Sequence, residues 1–246
     1  MIDSILPAIL WGGLAASSLL VGYFLAERKL SNRAIGLIMG FGAGALISAI
    51  AYELVPESKL TGLDMAIAFG LGALAFFVGD WVIDRRGGAE RKAIAGGQPD
   101  GPESSGAAIF IGTLLDNVPE SIVLGMSLVL GGSVSVAFLA AVFVSNLPEG
   151  VAGSINLEAA GHTRKNVFWM WVVLVIVSAA CAGLGYALVR WMPGVDGLYI
   201  QAFAAGAMLT MLADAMMPEA FEHGGLLVGL FTVLGFLLAA GLSVMQ

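Results

Sequence analysis

The chain is 246 residues long, 59% hydrophobic with 34 glycines besides, and only 12% charged, with a mean hydropathy of +0.92. A soluble domain keeps about 25% of its residues charged, so this composition excludes a soluble globular domain or a disordered chain and predicts an integral membrane protein. Eleven Lys+Arg against eighteen Asp+Glu leave a formal charge of −7 and no basic surface for nucleic acid; the single cysteine, Cys181, excludes a disulfide framework or a CxxC-type metal or redox site.

A membrane-crossing helix needs roughly 20 predominantly apolar residues. Eight stretches qualify, at about Ser4–Ala26, Ala34–Leu54, Asp64–Ile83, Gly106–Leu130, Ser133–Asn156, Val167–Val189, Leu198–Met217 and Leu226–Val244. Met1, Ile2 and Asp3 offer no positive n-region, so the first stretch reads as a mature span, not a cleaved signal peptide. The longest connection, Arg85 to Ser105, is rich in Gly, Pro and Ser and reads as a flexible loop. The expected fold is all-α, a single transmembrane domain over 1–246. Its first three spans lie in 1–84, a cytoplasmic loop in 85–105, a helix pair in 106–156 and the last three spans in 157–246. Arg28, Lys29, Arg33, Arg85, Arg86, Arg91, Lys92, Arg164 and Lys165 fall in alternate loops on one side, against Lys59 and Arg190 on the other. That bias places the 85–105 loop in the cytoplasm and both termini outside.

The chain also repeats itself. At an offset of 162 residues, Phe41, Ala43, Gly44, Ala45, Ala51, Pro56 and Glu57 fall on Phe203, Ala205, Gly206, Ala207, Ala213, Pro218 and Glu219. Span seven comes five spans after span two, an odd number, so the copies run in opposite directions. Asn117-Val118-Pro119-Glu120 in span four likewise matches Asn146-Leu147-Pro148-Glu149 in span five. Inverted repeats of this kind mark transporters, whose site lies near the bilayer midplane on interrupted helices.

That midplane is where the polar residues gather. Asp116 lies about ten residues into its span, half-way across at 1.5 Å per residue. Asp116, Asn117 and Glu120 share one helix face by i, i+3 and i+4 spacing, and Ser145, Asn146 and Glu149 repeat the pattern. Pro119 and Pro148 cannot donate to the carbonyls of Leu115 and Val144, which become candidate oxygen ligands. A carboxylate at the bilayer centre costs at least ~2.5 kcal/mol, so three in one bundle need a cation or protons to offset them. Hydrogen-bonded helix cross-linking is the plainer reading, but it calls for amides or hydroxyls and not for clustered carboxylates. Three functions remain open on these residues: divalent metal transport, metal binding or sensing without transport, and a carboxylate path for protons or another cation.

Span four, DNVPESIVLG, and span five, SNLPEGVAGS, resemble the signature helices of the ZIP (Zrt/Irt-like) metal transporters, and AAGAMLTMLADAMMPEA in span seven resembles that family's AGAML…PE segment. The turn Ala160–Asn166 is similar to its short basic turn after span five. The resemblance covers essentially the whole chain. It implies a 3+2+3 organisation, with spans 1–3 and 6–8 as an inverted repeat around spans 4 and 5, a homodimer, and transport of zinc, iron or manganese as substrate with no cofactor. Asn117, Pro119, Glu120, Pro148, Glu149 and Gly150 match the family pattern. Asp116 stands where the family has a span-four histidine, Ser145 where His or Gln is usual, and Asn146 where an acid is common. Ser178-Ala179 replaces an acidic-Pro pair, and Ala215 stands where span seven often has Glu. These departures imply that a second metal position is weakened or absent. Carboxylate and carbonyl oxygens suit manganese, whereas imidazole suits zinc, so Asp116, Asn117, Glu120, Ser145, Asn146 and Glu149 are expected to hold a divalent ion with manganese or iron favoured over zinc. A bacterial inner membrane is the expected location.

Glu53 and Asp214, with Glu57 and Glu219 beyond them, are candidate entrance and exit groups, or simply interfacial carboxylates. Asp80 faintly resembles an intramembrane aspartyl protease site, but the preceding glycine pattern and a Tyr-Asp partner are missing, so no enzyme is expected. His162 and His223 read as solvated turn residues, and Trp81, Trp169 and Trp191 as interfacial anchors.

Overall fold

The computed structural model describes residues 5–28, 30–55, 62–88, 93–94, 106–191 and 197–245. Among them every regular element is a helix, and eight spans are long and apolar enough to cross a membrane. Span one is α1 (Leu6–Ala16) followed by α2 (Ser18–Ala26); span two is α3 (Asn32–Ala49), which widens into a π-helical turn at Ile50–Leu54. Span three is α4 (Leu63–Ile83), continued by a turn at Asp84–Gly88. Spans four to six are α5 (Gly106–Leu130), α6 (Val136–Ala159) and α7 (Arg164–Trp191). Span seven is α8 (Gly197–Met211), a second π-helical segment at Leu212–Met216, and α9 (Met217–Gly224); span eight is α10 (Leu227–Val244).

Two of the helix starts are written plainly in the chain. Ser31 accepts a hydrogen bond from the Ala34 amide at 3.2 Å, and Ser135 from the Phe138 amide at 3.0 Å, each satisfying an orphan donor of the first turn. Several ends differ from expectation. Span three runs to Gly88, where the φ of +90° at Gly87 breaks the helix. Span seven continues past Pro218 to Gly224. Proline is tolerated in the first turn of α9, where its missing N–H has no partner to lose.

The helices gather into two neighbouring groups. Span one packs on spans five and six, and span four on span six, while span two packs on span eight and span three on span seven. The principal seam between the groups is span two against span five. Burial follows from this arrangement. In the most apolar stretches of spans two and five 67% of residues are buried, against 17% in spans three and eight, which carry the outward-facing leucines and aromatics. An exposed apolar rim around a polar-containing centre is inverted relative to a soluble protein, and it suits hydrocarbon as solvent. Trp81, Trp169 and Trp191 are all exposed, as anchors should be, whereas Trp171 is fully buried and its indole N–H donates to Ser154 Oγ at 2.9 Å.

Close approach depends on glycine at two matching crossings. A methyl group on Gly44 would collide with the Thr232 carbonyl, and one on Gly235 with the Phe41 carbonyl. Between spans seven and three the same collision arises for Gly206 against Phe69 and Gly72 against Phe203. Gly44 and Phe41 are the residues aligned with Gly206 and Phe203 in the sequence repeat, and the two π-helical turns start at Ile50 and Leu212, the same 162 residues apart.

Candidate metal site

The midpoint of α5 falls at Val118 and that of α6 between Leu147 and Pro148, so both Pro-Glu motifs sit at the centre of their spans. Both helices run on through their prolines. Asp116, Asn117, Glu120, Ser145, Asn146 and Glu149 are each no more than 2% exposed. An amide hydrogen bond from Asn146 Nδ2 to Asn117 Oδ1, at 3.1 Å, joins the two motif helices through the residues that are equivalent in the repeat. Asn117 Nδ2 in turn donates to the Thr113 carbonyl at 2.9 Å, which fixes the face that its oxygen presents. The Ser145 hydroxyl donates to the Val142 carbonyl at 3.0 Å, leaving its oxygen able to accept or ligate.

The released carbonyl of Val144 lies against Gly42 of span two, beside the Ser145 backbone. The carboxylates of Asp116, Glu120 and Glu149 are buried in the same helix pair but are not drawn into one tight cluster. Among the described residues, the one group of three His, Cys, Asp or Glu ligand atoms within 4.8 Å of one another is Glu219, Glu222 and His223.

Two further features frame the helix pair. On one side a cavity of about 280 Å³ is lined by Glu53, Ser127, Ser133, Ser135, Phe138 and Gln201, among others. Ser127 is seven residues beyond Glu120, on the same face of α5 and about 10 Å along it. On the other side Asn156, seven residues beyond Glu149, donates from Nδ2 to the Ala93 carbonyl at 2.8 Å. Glu53 is half-buried at the cavity, Glu219 half-buried and Asp214 exposed; Glu57 lies outside the described residues. Glu53 and Glu219 therefore stand at opposite ends of the bundle and do not meet.

The missed residue is His223. It is not a solvated turn residue: it occupies the last turn of α9, its side chain 14% exposed, with Nδ1 3.1 Å from Glu219 Oε1. The signal was the spacing, since Glu219, Glu222 and His223 fall at i, i+3 and i+4 and share a face once the helix is seen to continue past Pro218. Asp80 is buried in α4.

No family model matches the chain. It is 26% identical to the zinc transporter ZupT of Chlorobium phaeovibrioides, over 90% of this chain and 91% of that protein. It is 24% identical to the zinc transporter ZIP11 of Bos taurus, over 95% and 94% respectively. A protein of Arabidopsis thaliana whose name also carries zinc transport is 25% identical over 82% of this chain, though over only 32% of its own length. All three names are those of transporters, not of enzymes. Similarity along the length of this chain to proteins so named, added to the paired DNVPE and SNLPE helices, supports its membership of the ZIP family.

Proposed function

We infer that the chain transports a divalent metal ion, of the zinc, iron and manganese class, across the membrane between α5 and α6. The observation that carries this reading is the buried oxygen-rich centre of that pair, held in register by the Asn146–Asn117 hydrogen bond. Three carboxylates at such a depth are costly without a compensating charge, and a dehydrated divalent ion supplies one. Glu120 and Glu149 act as anionic ligands, Asp116 takes the place of the family's histidine, and Asn117, Asn146 and Ser145 complete the shell with neutral oxygens. An arriving ion is held by these oxygens from both helices, and a small movement of either helix releases it again.

The cavity at Glu53 is the entrance on this reading, because the Ser127 face of α5 leads from it to Glu120. Orientation follows the cations: Arg85, Arg86 and Arg164 mark the cytoplasmic end, and both termini lie outside. The matched crossings at Gly44 and Gly206 favour two halves related by an inverted repeat around the α5–α6 pair. The relatives are named for zinc, but oxygen ligands without imidazole favour manganese or iron here.

Uptake into proteoliposomes tests both parts. Glu120→Ala and Glu149→Ala each abolish uptake while the protein remains folded, and the unaltered chain takes up manganese or iron ahead of zinc at equal free concentrations. Unchanged uptake in both variants contradicts the site, and preferred zinc contradicts the selectivity. Metal bound without flux identifies a sensor, and flux indifferent to divalent ions identifies a proton or monovalent-cation path.

A further inference from the structure

The end of span seven carries a ligand set that the midplane site does not use. Along α9, Glu219, Glu222 and His223 project from one face, and one ligand atom of each lies within 4.8 Å of the others. Bonds of about 2.0–2.2 Å to a tetrahedral ion separate ligand atoms by roughly 3.5 Å, so side-chain rotation of about 1 Å closes the set. His223 is the imidazole of the group, with Nδ1 at 3.1 Å from Glu219 Oε1 and 3.3 Å from the Glu219 carbonyl.

A second observation comes from outside the helix. The Ile94 amide donates to Glu219 Oε1 at 2.5 Å, and Ile94 is 1% exposed. The neighbouring Ala93 carbonyl is held by Asn156 of α6. A hydrogen-bonded pair of residues from the connection between spans three and four is thus anchored at two points and orients the Glu219 carboxylate. Ligating carboxylates are oriented in this way by backbone donors behind them. A carboxylate has about four lone-pair positions, so Glu219 can keep the Ile94 bond and still offer an oxygen to an ion.

The geometry points to a divalent metal site formed by Glu219, Glu222 and His223, with the Ile94 amide orienting Glu219, at the cation-rich end of the bundle and separate from the midplane pair. Three protein ligands leave one or more positions to water, so the site exchanges its ion with solution. Its imidazole matches it to borderline ions such as zinc, cobalt and iron, a different preference from the oxygen-only centre. The site stands on its own residues and does not depend on transport through α5 and α6.

Cobalt(II) serves as the probe, since its visible absorption reports on imidazole in the coordination shell. The full chain in lipid nanodiscs carries Glu120→Gln and Glu149→Gln to silence the midplane, and cobalt is titrated by equilibrium dialysis and absorption. The expected result is about one cobalt retained per chain with the absorption of a nitrogen-containing site. His223→Gln added to this background removes the absorption and weakens binding at least tenfold; Glu222→Gln weakens it less. Ile94→Pro, which deletes the orienting amide, weakens it about tenfold. Retained cobalt whose affinity and spectrum are unmoved by His223→Gln, or no cobalt in the Glu120→Gln/Glu149→Gln protein, overturns the assignment. Failure of the midplane reading shows separately, as a cobalt stoichiometry that Glu120→Gln and Glu149→Gln do not lower.

Discussion

The centre of α5 and α6 and the end of α9 hold acidic residues in opposite ways. At the centre Asp116, Glu120 and Glu149 are buried and accompanied by amides and a hydroxyl. On α9 Glu219 is half-buried and Glu222 exposed, and both lie close to each other and to an imidazole. Water explains the difference. A carboxylate near the surface keeps part of its hydration and can tolerate a neighbour of the same sign, whereas in the low-dielectric centre like charges repel strongly until an ion joins them. On the proposed reading, the buried centre is the more costly place for uncompensated charge and the peripheral set the less costly one.

The comparison can be sharpened first by moving imidazole into the centre. Asp116→His restores the residue found at that position in the family pattern, and the ratio of zinc to manganese uptake should rise by an order of magnitude or more if ligand chemistry sets selectivity. An unchanged ratio in competition uptake means that something other than the α5–α6 ligands selects the ion.

A smaller effect tests the peripheral side. Arg164 pairs with Glu27 at 2.7 Å and Glu158 at 3.1 Å, but the three side chains are 35%, 57% and 38% exposed. Its guanidinium also lies 4.4 Å from the Tyr23 ring centroid, tying span one to the start of span six. Solvent screening limits such exposed pairs to about 0.2–1 kcal/mol. Arg164→Ala should lower the thermal midpoint by no more than a few degrees, with uptake retained. A collapse of the fold in a melting experiment instead shows that this end is held together far more by charge than its exposure allows.

Much of the architecture was legible in the chain because hydrocarbon imposes simple rules. Span four, and the last residue of spans one, two and eight, follow directly from apolar length, whereas span five begins and ends three residues later than expected. The depth of Asp116 and Glu149 follows from counting residues along a helix. What could not be read was where a helix continues through polar residues. Pro218 and Glu219 look like a stop, yet the π-helical turn at Leu212–Met216 carries span seven onward, so His223 was assigned to solvent when it lies against Glu219. Likewise the close approach of Gly42 in span two to the Ser145 backbone and the Val144 carbonyl is not written in either segment. Both depend on contacts between segments distant in sequence, and no local pattern encodes them.

The central claim is that a divalent ion binds between α5 and α6, and anomalous diffraction from crystals soaked in manganese tests it most directly. The account predicts an anomalous peak between the two helices at the level of Asn117 and Asn146, within bonding distance of the Glu120 and Glu149 carboxylates. Anomalous density confined to Glu219, Glu222 and His223, with none between α5 and α6, would contradict it.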